Sequence, residues 1–157
     1  SEDNSVNTVK SAKEYCDQNK IPYEEVTVTN SSEVKQAAET LAGKVDGIFI
    51  PNDSVIQSAM TTVTEVARDK KIPVYGSSKA MVLSGAFATV AISDTKIGKL
   101  TAQMGLKYLK DGTAVKDIPS VVVPAEETVI NQNTLDALGV TVPDDIKNSA
   151  IIVNDAE

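Results

Sequence analysis

The stretch Val45-Asp46-Gly47-Ile48-Phe49-Ile50-Pro51-Asn52-Asp53-Ser54 decides the fold. Val45 to Ile50 is the most apolar strand-like run in the chain, as expected of a central strand covered on both faces, and it ends directly in residues that start helices. The same change occurs at Val28-Thr29-Asn30-Ser31-Ser32, Val74-Tyr75-Gly76-Ser77-Ser78 and Val90-Ala91-Ile92-Ser93-Asp94. A recurring strand, polar junction and helix predicts an α/β protein with a doubly wound, mostly parallel sheet. In such a sheet the carboxyl ends of the strands share one rim. The four junctions would then line a single crevice of hydrogen-bonding groups and helix N-termini, a place to hold a small polar ligand.

Working outward, Val6, Val9, Ala12 and Cys16 recur at helical spacing and predict an opening helix over 5–19, closed by Lys20-Ile21-Pro22. Alternating Val26 and Val28 predict a strand over 23–29. A helix follows over 32–42, with Asn30-x-x-Glu33 resembling a capping box, and Ser54-x-x-Gln57 resembles a second one at the next helix. Val74-Tyr75 is a short strand, Lys79 to Leu83 a helical turn, and 86–92 another strand. Asp94 or Thr95 caps a helix to about Lys110 with an apolar stripe of Ile97, Leu100, Met104 and Tyr108. Residues 118–123 read as an edge strand, 128–130 as a strand and 133–138 as a short helix stopped by Gly139, with a frayed acidic tail after Asn154.

Composition narrows the function. The 157 residues are 41% hydrophobic, enough for a core, and carry a formal charge of −7, the wrong sign for attraction to phosphate backbones. With no histidine in the chain, Ser-His-Asp and Cys-His catalysis and His-ligated metals are excluded. The single cysteine, Cys16, forms no internal disulfide and reads as a buried, inert thiol. No apolar run approaches the roughly 20 residues needed to span a bilayer.

Within the crevice, Ser54 has a cap partner in Gln57. Asn52 and Asp53 are surplus to that cap and are read as ligand contacts, Asp53 toward an ammonium and Asn52 as donor and acceptor. Gly76, Ser77 and Ser78 form either a cradle for a carboxylate or sugar hydroxyl or a turn set by geometry alone. Ser93 and Asp94 share that ambiguity, and 30–32 lean to capping. Ser1, Glu2, Asn4 and Ser5 sit at the first helix N-terminus and join the rim if a strand precedes them. Residue 1 already lies in a strand-to-helix junction, so the chain reads as cut.

Asn4-Ser5-Val6, Val26 to Val34, Leu41 to Asp46, Lys71 to Ser77 and Gly85 to Val90, in that order and spacing, resemble the extracellular substrate-binding proteins of ABC importers, in the branch associated with tryptophan and tyrosine uptake. The likeness runs from residue 1 to about Ile146. It implies one lobe of a two-lobe type I periplasmic-binding-protein fold with the N-terminal lobe missing. Residues 1–92 would be the second ligand-binding lobe without its first strand, 93–126 a segment returning to the absent lobe, and 127–157 a hinge recrossing, a short strand and a C-terminal helix and tail. The family's cleft loops map onto 1–5, 51–54 and 76–78, with Ser93 at the hinge. Asn52 stands where threonine is frequent, and Ser78-Lys79 where an acidic pair is frequent.

The resemblance implies a solute-binding component of an ABC importer. It would capture a small ligand, an amino acid and possibly an aromatic one, and deliver it to permease subunits. It implies no enzyme activity, cofactor or metal, and no nucleic-acid partner. The full-length protein would be a cell-surface lipoprotein or periplasmic, meeting the membrane only through a lipid anchor, and this piece is expected to pack its long helix on a neighbouring chain or displaced onto its own lobe. One rival is the effector-binding core of a transcription regulator, which would need a basic helix-turn-helix head. Another is a small isomerase using Glu126 or Glu127 as base.

Overall fold

The computed structural model describes residues 2–156; the candidate contact at Ser1 lies outside them. Five short strands form one sheet in the order β1 (Ile48–Phe49), β2 (Val74–Tyr75), β3 (Ala88–Ala91), β4 (Glu127–Asn131) and β5 (Ile151–Val153). Pairing is parallel from β1 to β3 and between β4 and β5, and antiparallel only between β3 and β4, where Ala91 faces Glu127. The sheet is therefore mostly parallel, as the recurring unit predicts.

Among the described residues the α-helices are α1 (Asp3–Asn19), α2 (Val34–Ala42), α3 (Ser54–Ser58), α4 (Met60–Asp69), α5 (Lys79–Leu83), α6 (Asp94–Leu109), α7 (Gln132–Leu138) and α8 (Asp144–Ser149). Helix α2 packs on α4. Their inner stripes, Val34, Ala38 and Ala42 on one and Met60, Val63 and Ala67 on the other, are buried at the three- and four-residue spacing of a helix face. Met81 and Val82 of α5 reach zero exposure between this pair and the strands. A smaller cluster of Phe87, Ile130, Leu135 and Leu138 seals α7 against β4.

Three expectations are corrected. Residues 21–28 take no strand assignment and enter none of the sheet's pairings. Residues 118–123 are irregular, with prolines at both ends of the run and Val122 92% exposed, so neither pairing nor burial favours a strand. The tail is not frayed: Ile151–Val153 joins the sheet, and the Ala156 N–H donates to the Leu83 carbonyl at 2.8 Å.

Arg68 anchors that tail. Its guanidinium donates two bonds to the Asp155 carboxylate, at 2.9 and 2.7 Å, and one from Nε to the Thr134 hydroxyl at 3.0 Å. The Asn131 amide, fully buried, joins Asp155 at 2.8 Å and the Val82 carbonyl at 2.7 Å. Gly85 lets Arg68 pass: its φ is +99°, and a Cβ there would stand 2.8 Å from Thr64 Oγ1 and 3.0 Å from Arg68 Nη2.

Helix α6, at 16 residues, has none of them buried, as also holds for the short α3 and α8. The stripe including Ile97 and Tyr108 lies open, with Leu109 79% exposed, so the expected displaced packing onto its own lobe does not occur.

Arg68→Ala is expected to cost about 1–2 kcal/mol, the range of charge-assisted hydrogen bonds reduced by the solvent exposure of Asp155. Urea denaturation measures that loss. Amide exchange at Ala156 should accelerate more than exchange in α4; an unchanged Ala156 rate would count against Arg68 as the anchor.

Candidate polar rim

Parallel pairing of β1, β2 and β3 puts 51–54, 76–78 and 92–94 at the same end of the sheet, and antiparallel β4 starts there too, the Glu126 N–H donating to the Ala91 carbonyl at 3.1 Å. Here the expected residues divide into two sets. Asn4 bonds the Asn52 carbonyl directly, and Ser5, Asp53 and Ser54 are joined through hydrogen bonds to Glu2. Gly76, Ser77, Ser78 and Ser93 follow the next two strands along the same rim.

Asp53 is the hub of the first set. Its side chain is fully buried and accepts from the backbone N–H groups of Val55 at 3.0 Å, Ile56 at 3.2 Å and Glu2 at 3.0 Å. It is thus the N-cap of α3, one residue earlier than the capping-box reading, which placed the cap at Ser54. The physical reason is that the shorter carboxylate at 53 reaches two N–H groups of the first turn, while Ser54 turns to the Glu2 carboxylate. The Ser54 N–H and hydroxyl both donate to Glu2, the N–H at 3.0 Å. Asp53 is therefore not surplus to the cap, and its carboxylate is committed to three N–H donors.

The remaining bonds close the pin. The Asn4 amide donates to the Asn52 carbonyl at 3.1 Å, and the buried Ser5 hydroxyl donates to the Glu2 carbonyl at 2.8 Å. Glu2 was expected at the rim only as one of the residues ahead of the first helix, with no partner assigned to it. Its signal was weak, an acidic residue ahead of a helix, and its role depends on a partner 52 positions away.

In the second set, Ser78 caps α5 by accepting from the Met81 N–H at 3.3 Å, and Ser93 caps α6 by accepting from Lys96 at 3.3 Å. Ser93, not Asp94 or Thr95, is therefore the cap. A hydroxyl that accepts at a cap keeps its O–H for another acceptor, whereas a capping carboxylate keeps no donor. Ser77, half-buried, has only a 3.8 Å contact to the Met81 sulfur, and the exposed Asn52 amide makes no hydrogen bond among the described residues. Gly76 is required by packing: a Cβ there would lie 2.8 Å from Met81 Cβ. That close approach is from the protein's own helix. Beside Ser93, Lys96 pairs with Glu126 at 2.7 Å.

Burial acts to raise the Asp53 pKa, but the N–H groups of Glu2, Ile56 and Val55 outweigh it and hold the carboxyl below its ordinary value. Bonds from the Ser54 hydroxyl and N–H lower that of Glu2. A depressed folded-state pKa stabilises the fold fully above the unfolded value, about 4, and the contribution is lost as pH falls through the folded value. Asp53→Ala should therefore cost about 2 kcal/mol at pH 7 and flatten the acid limb of the stability profile below about pH 4. Thermal melts of both proteins from pH 2.5 to 7 test this; parallel acid limbs would show that Asp53 does not carry it.

The ABC transporter substrate binding protein family profile matches residues 1–154. A tyrosine-binding protein of Clostridioides difficile strain R20291 is 38% identical over 138 residues, which are 88% of this chain and 40% of that protein. The ligand-free, open structure of a substrate binding protein with adhesive properties from Clostridium difficile superposes with a TM-score of 0.82 at 33% identity, over 99% of this chain and 52% of that one. An ABC domain in complex with L-Trp from Streptococcus pneumonia gives 0.83 at 31% identity, over 96% and 51%. The chain thus spans about half the length, or less, of the proteins it matches, and it belongs to the ABC transporter substrate-binding protein family.

Proposed function

We propose that this chain supplies one wall of an amino-acid cleft, the second lobe of a solute-binding protein that closes on tyrosine, tryptophan or a related aromatic amino acid. The observation that carries the reading is the rim itself, with the Asn52 amide and the Ser77, Ser78 and Ser93 hydroxyls left able to donate once capping is complete. Donors of this kind suit a carboxylate. Support for the ligand class comes from the relatives, one named for tyrosine and one solved with L-Trp.

In this reading Asn4, Ser5, Asp53 and Ser54 hold the wall in shape, and Gly76 lets α5 approach it. The facing wall belongs to another lobe. Segment 93–126 reaches toward that lobe, which would cover the open stripe of α6, and Ser93 with Glu126 marks the crossing. The bound, closed form would be presented to the permease of an importer at the outer face of the membrane, the full-length protein being held there by a lipid anchor or free in the periplasm. The protein does no chemistry on its ligand; it works by a difference in affinity between open and closed states.

Titration calorimetry with L-tryptophan, L-tyrosine and L-phenylalanine is expected to show binding by the full-length protein and little or none by residues 1–157. Tight binding by the shorter chain would overturn the half-cleft. In the full-length protein Asn52→Ala and Ser77→Ala should each raise Kd about tenfold, the loss of one hydrogen bond of about 1.4 kcal/mol.

The short chain should also self-associate through α6. Light scattering would show concentration-dependent dimers, reversed by Leu106→Lys with Leu109→Lys, whereas a clean monomer at all concentrations would rule this out.

A further inference from the structure

Thr89 lies in the middle of the sheet, 4% exposed, and its hydroxyl has no hydrogen-bond partner among the described residues. The other buried polar side chains among them are all bonded: Ser5 to the Glu2 carbonyl, Asp53 to three N–H groups, Thr64 to the Ser84 carbonyl, Asn131 to the Val82 carbonyl and Thr134 to the Gly85 carbonyl. A hydroxyl withdrawn from water without a partner destabilises a fold, whereas a valine of the same shape would not. Thr89 is therefore held at a cost in stability.

Its place in the sheet relates that hydroxyl to the rim. Thr89 pairs with Val129 of β4, which is fully buried in the layer of Met81 and Val82, so the Thr89 side chain lies on the face that α5 covers. On its other side the register of β2 and β3 runs from Tyr75 and Ala88 to Gly76 and Thr89, the Gly76 N–H donating to the Ala88 carbonyl at 3.1 Å. Ala91, two residues further along β3, shares the same face. Toward the rim Thr89 is thus bordered by two of the smallest residues, Gly76 and Ala91. Directly after Gly76 come Ser77, whose hydroxyl has only the 3.8 Å contact to the Met81 sulfur, and Ser78, whose cap bond is 3.3 Å long. Three hydroxyls with little or no bonding gather at one place.

We propose that Thr89 is a positioning residue of the ligand wall, acting through Ser77. When the Ser77 hydroxyl turns from the Met81 sulfur to donate to a ligand carboxylate, its oxygen accepts from the Thr89 hydroxyl, and a chain of hydrogen bonds runs from Thr89 through Ser77 to the ligand. Met81 permits that turn: it lies over Gly76, where a Cβ would stand 3.3 Å from its sulfur, and an unbranched thioether shifts easily. The bound form then satisfies a buried group that the unbound form leaves unpaired, which adds to the difference in affinity between the two states. The inference rests on reading this rim as a carboxylate site, and it adds to that site a residue one step beneath the surface.

The test uses the full-length protein, with Thr89→Val to remove the hydroxyl at constant shape and Thr89→Ser to keep it. Without ligand, Thr89→Val should raise Tm by about 3 °C, through release of one unpaired buried hydroxyl. Calorimetry with L-tryptophan and L-tyrosine should show Kd raised about fivefold by Thr89→Val and held within about twofold by Thr89→Ser. In a Ser77→Ala background Thr89→Val should change Kd by less than about twofold, because the chain is already broken. A Kd unchanged by Thr89→Val, a lowered Tm, equal losses from valine and serine, or losses additive with Ser77→Ala would each overturn the proposal. Any of these beside intact binding by the unsubstituted protein would discard Thr89 and leave the cleft standing, whereas absence of binding by the unsubstituted protein would overturn both.

Discussion

Parallel pairing of β1, β2 and β3 is the constraint from which the rest follows. Because Ile48 faces Val74 and Tyr75 faces Ala88 with all three strands pointing the same way, every strand exit emerges at one edge. Polar groups scattered over 40 residues of sequence become neighbours there, and each return path must cross the sheet as a helix. The position of α1 is tied to the same edge through Glu2, which meets the exit of β1 at Asp53 and Ser54. Changing the direction of one strand would take its junction to the far end of the sheet.

On the proposed reading two demands compete for the polar side chains at this edge, since helix starts need acceptors and an amino-acid carboxylate would need donors. A carboxylate at a cap meets the first demand and cannot meet the second, so Asp53 withdraws into the interior. A serine at a cap meets both, which is why Ser78 and Ser93 can cap α5 and α6 and still present an O–H. The residue chemistry thus separates positions whose capping uses the whole side chain from positions that keep a free donor, without moving any of them off the rim.

The legible part of the fold was the part set by local signals. Apolar runs ending in Asn, Asp, Ser or Gly located β1, β2 and β3 and their junctions, and Gly139 stopped α7 where its left-handed φ of 68° requires. What depended on a distant partner was not legible. Asp53 over Ser54 as cap is decided by Glu2; the ordered tail by Arg68, 87 positions away from Asp155; and a strand at 23–29, which the alternation of Val26 and Val28 suggests, needs sheet pairing that alternation cannot guarantee. Cys16 illustrates the same limit. Its helical stripe was read correctly as inward-facing, yet it is only half-buried, because what it faces is open.

Two helices are left uncovered for different reasons. The inner stripe of α1 faces an open cavity shared with α2 and β1, whereas α6 looks outward and none of its residues is buried. Burial therefore cannot be what orders α1. Apart from Ser5 its contacts at the rim are polar: the Glu2 carboxylate on Ser54, the Glu2 N–H on Asp53 and Asn4 on the Asn52 carbonyl. Exposed hydrogen bonds of this kind compete with solvent, so α1 belongs to the low-stability end of the molecule while the layer of Met60, Met81, Val82 and Val129 sets the global value. The polar pins at the rim thus do for α1 what apolar packing does for α2 and α4, which makes the shape of the candidate cleft wall and the seating of its first helix one and the same interaction.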